Sequence, residues 1–386
     1  MHSLSDYDYI LPSELIAQTP ADPPESCRFL VVDRESHQMS DHIFSDLPDL
    51  IDPDTLIVFN NSKVLKARLI LPDWWEIFYL SSNDEYRFSA LVRPGKRFKV
   101  WSTIKLNNEV SFLVESISDD GRILVASQPI FEILESHGQM PLPPYIAYDE
   151  SLEDPYQPVF ASTAWSVAAP TASLHFTDEL IRNLESKWVQ SLYTTLHVWL
   201  GTFKPVNVES IISYDIHSER IEVDSDIWSQ LATAKQANKN ILAVGTTVTR
   251  TLESLPYLWK MLEYIWKTKD ATSMWYRDSF TSDITFSDAK KIIWEVSVVD
   301  EKIFFDSKLF LYPGKKFYII DELITNFHLP KSSLLMLVAG LVWYDQMREI
   351  YKHAIDQQYR FYSFGDAMWL KKTWEMRLET WDNKDI

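Results

Sequence analysis

Glycine is the residue this chain most conspicuously lacks. Only 8 of 386 residues are glycine, where average usage of about 7% gives roughly 27. Left-handed backbone is open to glycine at little cost and to a large side chain only under strain. Tight turns and helix ends must therefore be built with few of the residues that suit them. Tryptophan, at 15, is abundant, and several tryptophans stand where local logic asks for something small. Trp74 and Trp75 follow Pro72-Asp73 at a turn, Trp188 follows a helix where a C′ glycine belongs, and Trp199 interrupts His197-Val198-Trp199-Leu200-Gly201-Thr202.

The remaining composition is ordinary. A hydrophobic fraction of 46% and a charged fraction of 24% describe a globular chain with enough apolar surface for a substantial core, and 386 residues favour two domains. No run of about 18 apolar residues occurs, so no membrane span is expected. Met1-His2-Ser3-Leu4-Ser5-Asp6 lacks the basic and apolar regions of a secretion signal. The single Cys27 excludes an internal disulfide and a CxxC metal site, and a cytoplasmic setting fits. A formal net charge of −18 opposes general affinity for nucleic acid. The charge is uneven, however. Residues 91–105 hold Arg93, Lys96, Arg97, Lys99 and Lys105 without an acid, and residues 60–71 hold Lys63, Lys66 and Arg68 likewise. This is either a basic face on an acidic body or ordinary solvated charge.

Hydrophobic patterning gives an α/β main domain with an inserted small antiparallel β-barrel-like domain. Residues 1–65 form the first part of the main domain, with strands at 29–32 and 55–59. Residues 66–150 form the insert, with short alternating strands at 86–92, 103–106, 110–117 and 122–126 and a hairpin turn at Ser118-Asp119-Asp120-Gly121. A short helix at 129–136 stops at Gly138, and Pro141-Leu142-Pro143-Pro144-Tyr145-Ile146 is an extended return. Residues 151–386 form the second part, with strands at 191–198, 241–245 and 317–324. Helices are expected at 178–187, 226–238, 247–255, 332–343 and 346–358. Thr177 and either Ser332 or Ser333 are N-caps. Residues 256–306 lack firm periodicity and read in part as an excursion.

Polar clusters end strands or precede helices at four places: Asn60-Asn61-Ser62-Lys63, His197 with Gly201-Thr202-Phe203, Gly245-Thr246-Thr247 with Arg250 and Glu253, and Thr325-Asn326-Phe327-His328. A fifth polar stretch, the run of small residues Ala168-Ala169-Pro170-Thr171-Ala172-Ser173, delivers His175 between Leu174 and Phe176. Ligands of α/β folds bind beyond the C-terminal ends of strands, so these segments could share one pocket. Each also has a plain structural reading. No Walker loop, GxGxxG or GxSxG motif is present, and His175, His197 and His328 lack metal-ligand spacing.

Seven motifs together resemble one family. They are Val58 through Val64, Met140 through Ile146, Val167 through Phe176, Thr195-Leu196-His197-Val198, Ala243 through Thr247, Thr325 through Ser333, and Tyr359-Arg360-Phe361 with Gly365-Asp366-Ala367-Met368. In this order, over about residues 6 to 370, they resemble the S-adenosylmethionine:tRNA ribosyltransferase-isomerases of queuosine biosynthesis. The resemblance implies transfer and isomerisation of the ribosyl part of S-adenosylmethionine onto 7-aminomethyl-7-deazaguanine at the tRNA wobble position, giving epoxyqueuosine-tRNA, adenine and methionine. S-adenosylmethionine is then a consumed substrate, with no cofactor, no metal, no membrane partner and a monomeric enzyme expected.

Such a reaction needs a base for the carbon beside the sulfonium and an acid for departing adenine, roles that suit His175, His328 and His197. Asn60, Lys63, Thr171, Gly245, Thr246, Thr247, Arg250 and Asn326 are expected to bind substrate. Phe176, Phe327, Glu253 and Asp366 are expected to face the sulfonium cation. Arg68, Arg93, Lys96 and Arg97, together with Lys63, are expected to hold the anticodon arm. At Trp101, Trp165, Trp188, Trp199 and Trp343 the family usually has glycine, so these five positions are expected to need glycine backbone.

Overall fold

The structure, a computed structural model, describes residues 2–82, 84–118, 121–198, 206–266 and 283–372. The most apolar strands lie side by side at its centre. Thr55–Asn60, Asn240–Val244 and Glu322–Asn326 are buried along their whole length, as expected of parallel strands covered on both faces. Gln190–His197 joins them, and these four pair in parallel, with Leu192 opposite Val58, Leu242 opposite Ile57 and Val244 opposite Ile324.

They form the middle of a ten-stranded sheet. Its order is Ile293–Val299, Lys302–Ser307, Glu219–Asp224, Gln190–His197, Thr55–Asn60, Asn240–Val244, Glu322–Asn326, Ala367–Lys371, Arg28–Asp33 and Met39–Ile43. The flanking pairings are antiparallel, except that Ala367–Lys371 runs parallel to Arg28–Asp33. All four central strands therefore end on one edge of the sheet, at Asn60, His197, Val244 and Asn326.

A second, six-stranded antiparallel sheet is drawn from residues 68–126, in the order Arg68–Ile70, Glu76–Ser82, Arg87–Arg93, Gly121–Ala126, Ser111–Ser118 and Thr103–Lys105. It is open, since its two edge strands do not pair with each other. Ile77, Phe88, Phe112 and Leu124 build its own apolar cluster, which the helix Ile130–His137 covers with Ile130, Ile133 and Leu134. Ser62–Val64 and Thr163–Ser166, on either side of this sheet in the chain, pair in parallel.

Local signals place the helix starts. Thr177 Oγ1 accepts from Leu180 N at 3.2 Å to open Asp178–Ser186, and Ser332 Oγ accepts from Leu335 N at 3.2 Å to open Ser333–Val342. Two expectations are corrected. The helix after Gly245 runs to Trp266, through Pro256, because Leu252, Leu255, Leu258 and Leu262 are all buried and this apolar stripe outweighs the bond a proline removes. The strand expected over 317–324 begins only at Glu322. The amides of Tyr318, Ile319 and Ile320 instead donate to the Glu253 carboxylate. The excursion at 256–306 also contains the hairpin Ile293–Val299 and Lys302–Ser307, and residues 267–282 lie outside the described ones.

Three of the five tryptophans expected to occupy glycine backbone have positive φ: Trp101 at 65°, Trp188 at 67° and Trp343 at 67°. Trp74, at 62°, joins them. Trp188 follows the end of its helix in a Schellman arrangement, with Trp188 N donating to Glu185 O at 2.9 Å and Val189 N to Leu184 O at 3.2 Å. Two other helices end with the same pair of bonds around Asn238 and Gln358. Trp343, with ψ 158°, occupies a region that is nearly exclusive to glycine. Trp165 lies at a register shift in its strand pair, and Trp199 is outside the described residues. Because left-handed backbone costs a residue with a Cβ about 1–2 kcal/mol, Trp188→Gly and Trp343→Gly should each raise the unfolding free energy by roughly that amount. Asn238→Gly, where asparagine already tolerates the conformation, should gain less. Urea midpoints of the three variants test this.

Candidate active site

Beyond the shared strand edge lies a cleft of about 710 Å³, its open mouth included. One wall is Ala168-Ala169-Pro170-Thr171-Ala172. A second is Gly245-Thr246-Thr247, and a third is Thr325-Asn326-Phe327-His328-Leu329 with Ser332. Val198, Leu334, Tyr145, Tyr362 and Ser363 complete the lining. Gly245 has φ +94° and its amide donates to Ile324 O at 2.7 Å, so here the strand-to-helix turn requires glycine.

His328 lies on this lining. Its Nε2 is 2.9 Å from Thr325 Oγ1, and Nδ1 has no partner among the described residues. Its backbone is fixed from both sides: the amide donates to Tyr351 Oη at 3.0 Å, and Tyr9 Oη donates to the carbonyl. Burial lowers its pKa from the ordinary 6.5 to about 3, so the ring is neutral. His175 sits one layer deeper. Its Nε2 accepts from Asn326 Nδ2 at 3.1 Å, and its Nδ1 is 3.2 Å from Cys27 Sγ. Asn326 Oδ1 in turn accepts from Thr171 Oγ1 at 2.9 Å. With Nε2 accepting, the neutral ring carries its proton on Nδ1. Burial, and secondarily the charge of Arg360, bring its pKa to about 3. The two histidines thus share one site, with His328 on its surface and His175 behind Asn326.

The third histidine, His197, is buried beside cleft residue Val198. Its Nδ1 is unpartnered, its Nε2 lies 4.0 Å from Glu222, and burial brings its pKa to about 4. One helical turn beyond Thr246-Thr247, Arg250 is 5% exposed. One nitrogen pairs with Glu219, while Nε and Nη2 are buried without an acceptor among the described residues. Thr247 Oγ1 is also buried without a partner.

Other expected site residues stand elsewhere. Asn60 joins the ends of two central strands, donating to Leu196 O at 3.1 Å and accepting from Leu196 N and Ser62 N. Glu253 is fully engaged by the three amides of residues 318–320, and burial pushes its carboxyl up to about 7. Asp366 accepts from Arg28 N, Arg360 N and the Arg360 side chain. Phe176 packs edge-on against Phe44 and Phe59 outside the cleft, whereas Phe327 lines it. Lys63, Arg93, Lys96 and Arg97 are exposed, Arg97 resting over the Trp75 ring at 5.5 Å. Arg68 is paired with Glu76 at 2.8 Å. Gly201, Thr202 and Phe203 lie outside the described residues.

Sequence reasoning missed Tyr145, whose Oη is 2.7 Å from Ser363 Oγ, and the two tyrosines that hold His328. It also missed Cys27 as the partner of His175. Among the described residues, no cluster of His, Cys, Asp and Glu could hold a metal ion, and no helix is long and apolar enough to cross a membrane.

The buried histidines predict an acid-side loss of stability. A ring held near 3 when folded and near 6.5 when unfolded leaves the unfolded chain binding more protons in between. Unfolding free energy therefore falls as pH drops below 6.5. Glu253 and Glu322, both raised to about 7, act in the opposite sense, losing stability as pH rises from the carboxylate range. The contrast to measure is wild type against His328→Gln by urea unfolding across pH. The variant should show a shallower decline below pH 6.5, and an identical decline would contradict the burial of a neutral ring.

Comparison with known proteins agrees with the sequence motifs. The sequence profile of the family described as "Queuosine biosynthesis protein" matches residues 4–370. An S-adenosylmethionine:tRNA ribosyltransferase-isomerase of Acaryochloris marina is 37% identical over 383 residues, covering 95% of this chain and 93% of the relative. The protein of the same name from a Nostoc species is 37% identical over 404 residues, covering 95% and 91%. A crystal structure of S-adenosylmethionine tRNA ribosyltransferase from Thermotoga maritima is 30% identical, covers 95% of this chain and 99% of its own, and has a TM-score of 0.49.

Proposed function

We propose a function from one premise: the chain belongs to the queuosine biosynthesis protein family. Like the relatives, it is an S-adenosylmethionine:tRNA ribosyltransferase-isomerase. In our reading it moves and isomerises the ribosyl part of S-adenosylmethionine onto 7-aminomethyl-7-deazaguanine at the wobble position of tRNA. Epoxyqueuosine-tRNA forms while adenine and methionine leave, so S-adenosylmethionine is consumed. The enzyme acts as a monomer, with residues 66–150 as a domain inserted between the two parts (1–65 and 151–386) of the main one.

The observation that carries this reading is the neutral His328 ring on a cleft lined by five of the resemblance motifs. A sulfonium neighbour repels a protonated imidazole but not a neutral one, and in the tautomer whose Nε2–H donates to Thr325 Oγ1, Nδ1 keeps a lone pair to take a proton from the carbon beside sulfur. His175 has another task. Its lone pair is committed to Asn326, so it positions the amide rather than abstracting a proton. Asn326 retains one N–H and one lone pair, the complement of an adenine edge that offers N7 and an N6 hydrogen. The unclaimed N–H groups of Arg250 suit a carboxylate such as that of the methionine portion.

His328→Gln should lower turnover by about 10²-fold or more, read as modified nucleoside by mass spectrometry after incubation with S-adenosylmethionine and precursor tRNA. His175→Gln should retain more turnover and raise the KM for S-adenosylmethionine instead. Full activity of His328→Gln would remove it from the chemistry. For tRNA, the exposed Arg93, Lys96 and Arg97 are the expected contacts, and Arg68 contributes only by giving up Glu76. Replacing the first three with alanine should weaken tRNA binding and flatten its salt dependence by about one log–log unit per lost contact. An unchanged salt slope would place the tRNA elsewhere.

A further inference from the structure

Tryptophan falls into two groups. Trp75, Trp228, Trp259, Trp294 and Trp369 all lack positive φ and are buried or half-buried. They do what tryptophan usually does. Trp369 stacks on Phe29 at 6.0 Å and donates from Nε1 to Glu322 at 2.9 Å, and Trp228 meets Trp259 edge-on at 6.0 Å. Trp74, Trp101, Trp188 and Trp343 differ on every count. Their φ values are 62°, 65°, 67° and 67°, and they expose 89%, 73%, 85% and 61% of their surface. Among the described residues, none of these four indoles makes a ring stack, a cation–π contact or a hydrogen bond.

What holds each of the four places is main chain. Trp188 is the left-handed residue of a Schellman cap. Trp101 is the third residue of a turn closed by Ser102 N on Lys99 O at 3.0 Å, where positive φ calls for glycine. Trp74 follows Asp73, itself at φ 65°, in the turn between Arg68–Ile70 and Glu76–Ser82. Trp343 joins two helices at an angle pair that side chains scarcely populate. Selection for an indole would leave a contact. These positions show a backbone made for glycine and a side chain with nothing to do, in a chain with 8 glycines.

We propose that Trp74, Trp101, Trp188 and Trp343, together with Trp165, are glycine in the cell that makes this protein. The gene would write them UGA, and that cell would carry a glycine-charged tRNA that reads UGA. Tryptophan arises where UGA is translated as tryptophan. Trp165 fits because it falls at a strand register shift.

Two readouts that do not depend on activity test this. The gene should carry UGA at the four positive-φ positions and UGG at Trp228 and Trp369, and UGG at any of the four overturns the proposal. Peptide mass spectrometry of the protein isolated from its own cells should find glycine at residues 74, 101, 188 and 343. Tryptophan at any of these, even from a UGA codon, equally overturns it.

Discussion

Cys27, His175, Asn326 and Thr171 form one line of hydrogen bonds drawn from three distant parts of the chain. The rest of the cleft depends on it. Asn326 ends a central strand, His175 ends the small-residue run, and Cys27 precedes the strand on the far side of Ala367–Lys371. A buried hydrogen bond contributes only about 1 kcal/mol net, but an orphaned buried partner costs about 1–3 kcal/mol. The line is therefore a constraint more than a source of stability: any segment that slips leaves a polar atom stranded. It also fixes which edge of the Asn326 amide is spoken for. A rotated amide would turn its oxygen to His175 Nε2 and its nitrogen to Thr171 Oγ1, exchanging donor and acceptor at both.

Buried charge is handled by the same logic. Glu253 is stripped of water, which favours its neutral form, yet three backbone amides point at it and favour the anion. Glu322 is served by Trp369 Nε1 and Asn240. Arg250 is the exception, with one nitrogen on Glu219 and two donors unanswered. A buried ion pair contributes little stability unless its remaining hydrogens are satisfied.

The sequence was most readable where a feature is local. Thr177 and Ser332 announce their helices because a cap needs only a hydroxyl and an amide three residues on. The central strands announce themselves by composition, since burial on both faces leaves no alternation to misread. The Gly245–Thr247 and Thr325–His328 segments meet the Ala168–Ala172 run where the rule of ligands beyond strand ends puts them, whereas Asn60 is turned inward to join two strands. Contacts made across long separations were not legible. Nothing near Glu253 says that its partners are amides 65 to 67 residues away, so the carboxylate looked free for substrate. Nothing near His175 announces Asn326, the partner that fixes its tautomer, which lies 151 residues on. Pro256 read as a helix end because the leucine stripe that overrides it is a property of packing.

The grip of Glu253 on residues 318–320 has a mechanical meaning. The helix that begins at Thr246 supplies one side of the cleft, and the strand that follows residue 321 supplies another. A single carboxylate two turns into the helix fastens it to the segment feeding that strand. The pair behaves as one rigid jaw. The facing wall is tied to it in turn, by Thr171 Oγ1 donating to Asn326 Oδ1 at 2.9 Å and by Tyr362 N donating to Phe327 O at 3.0 Å.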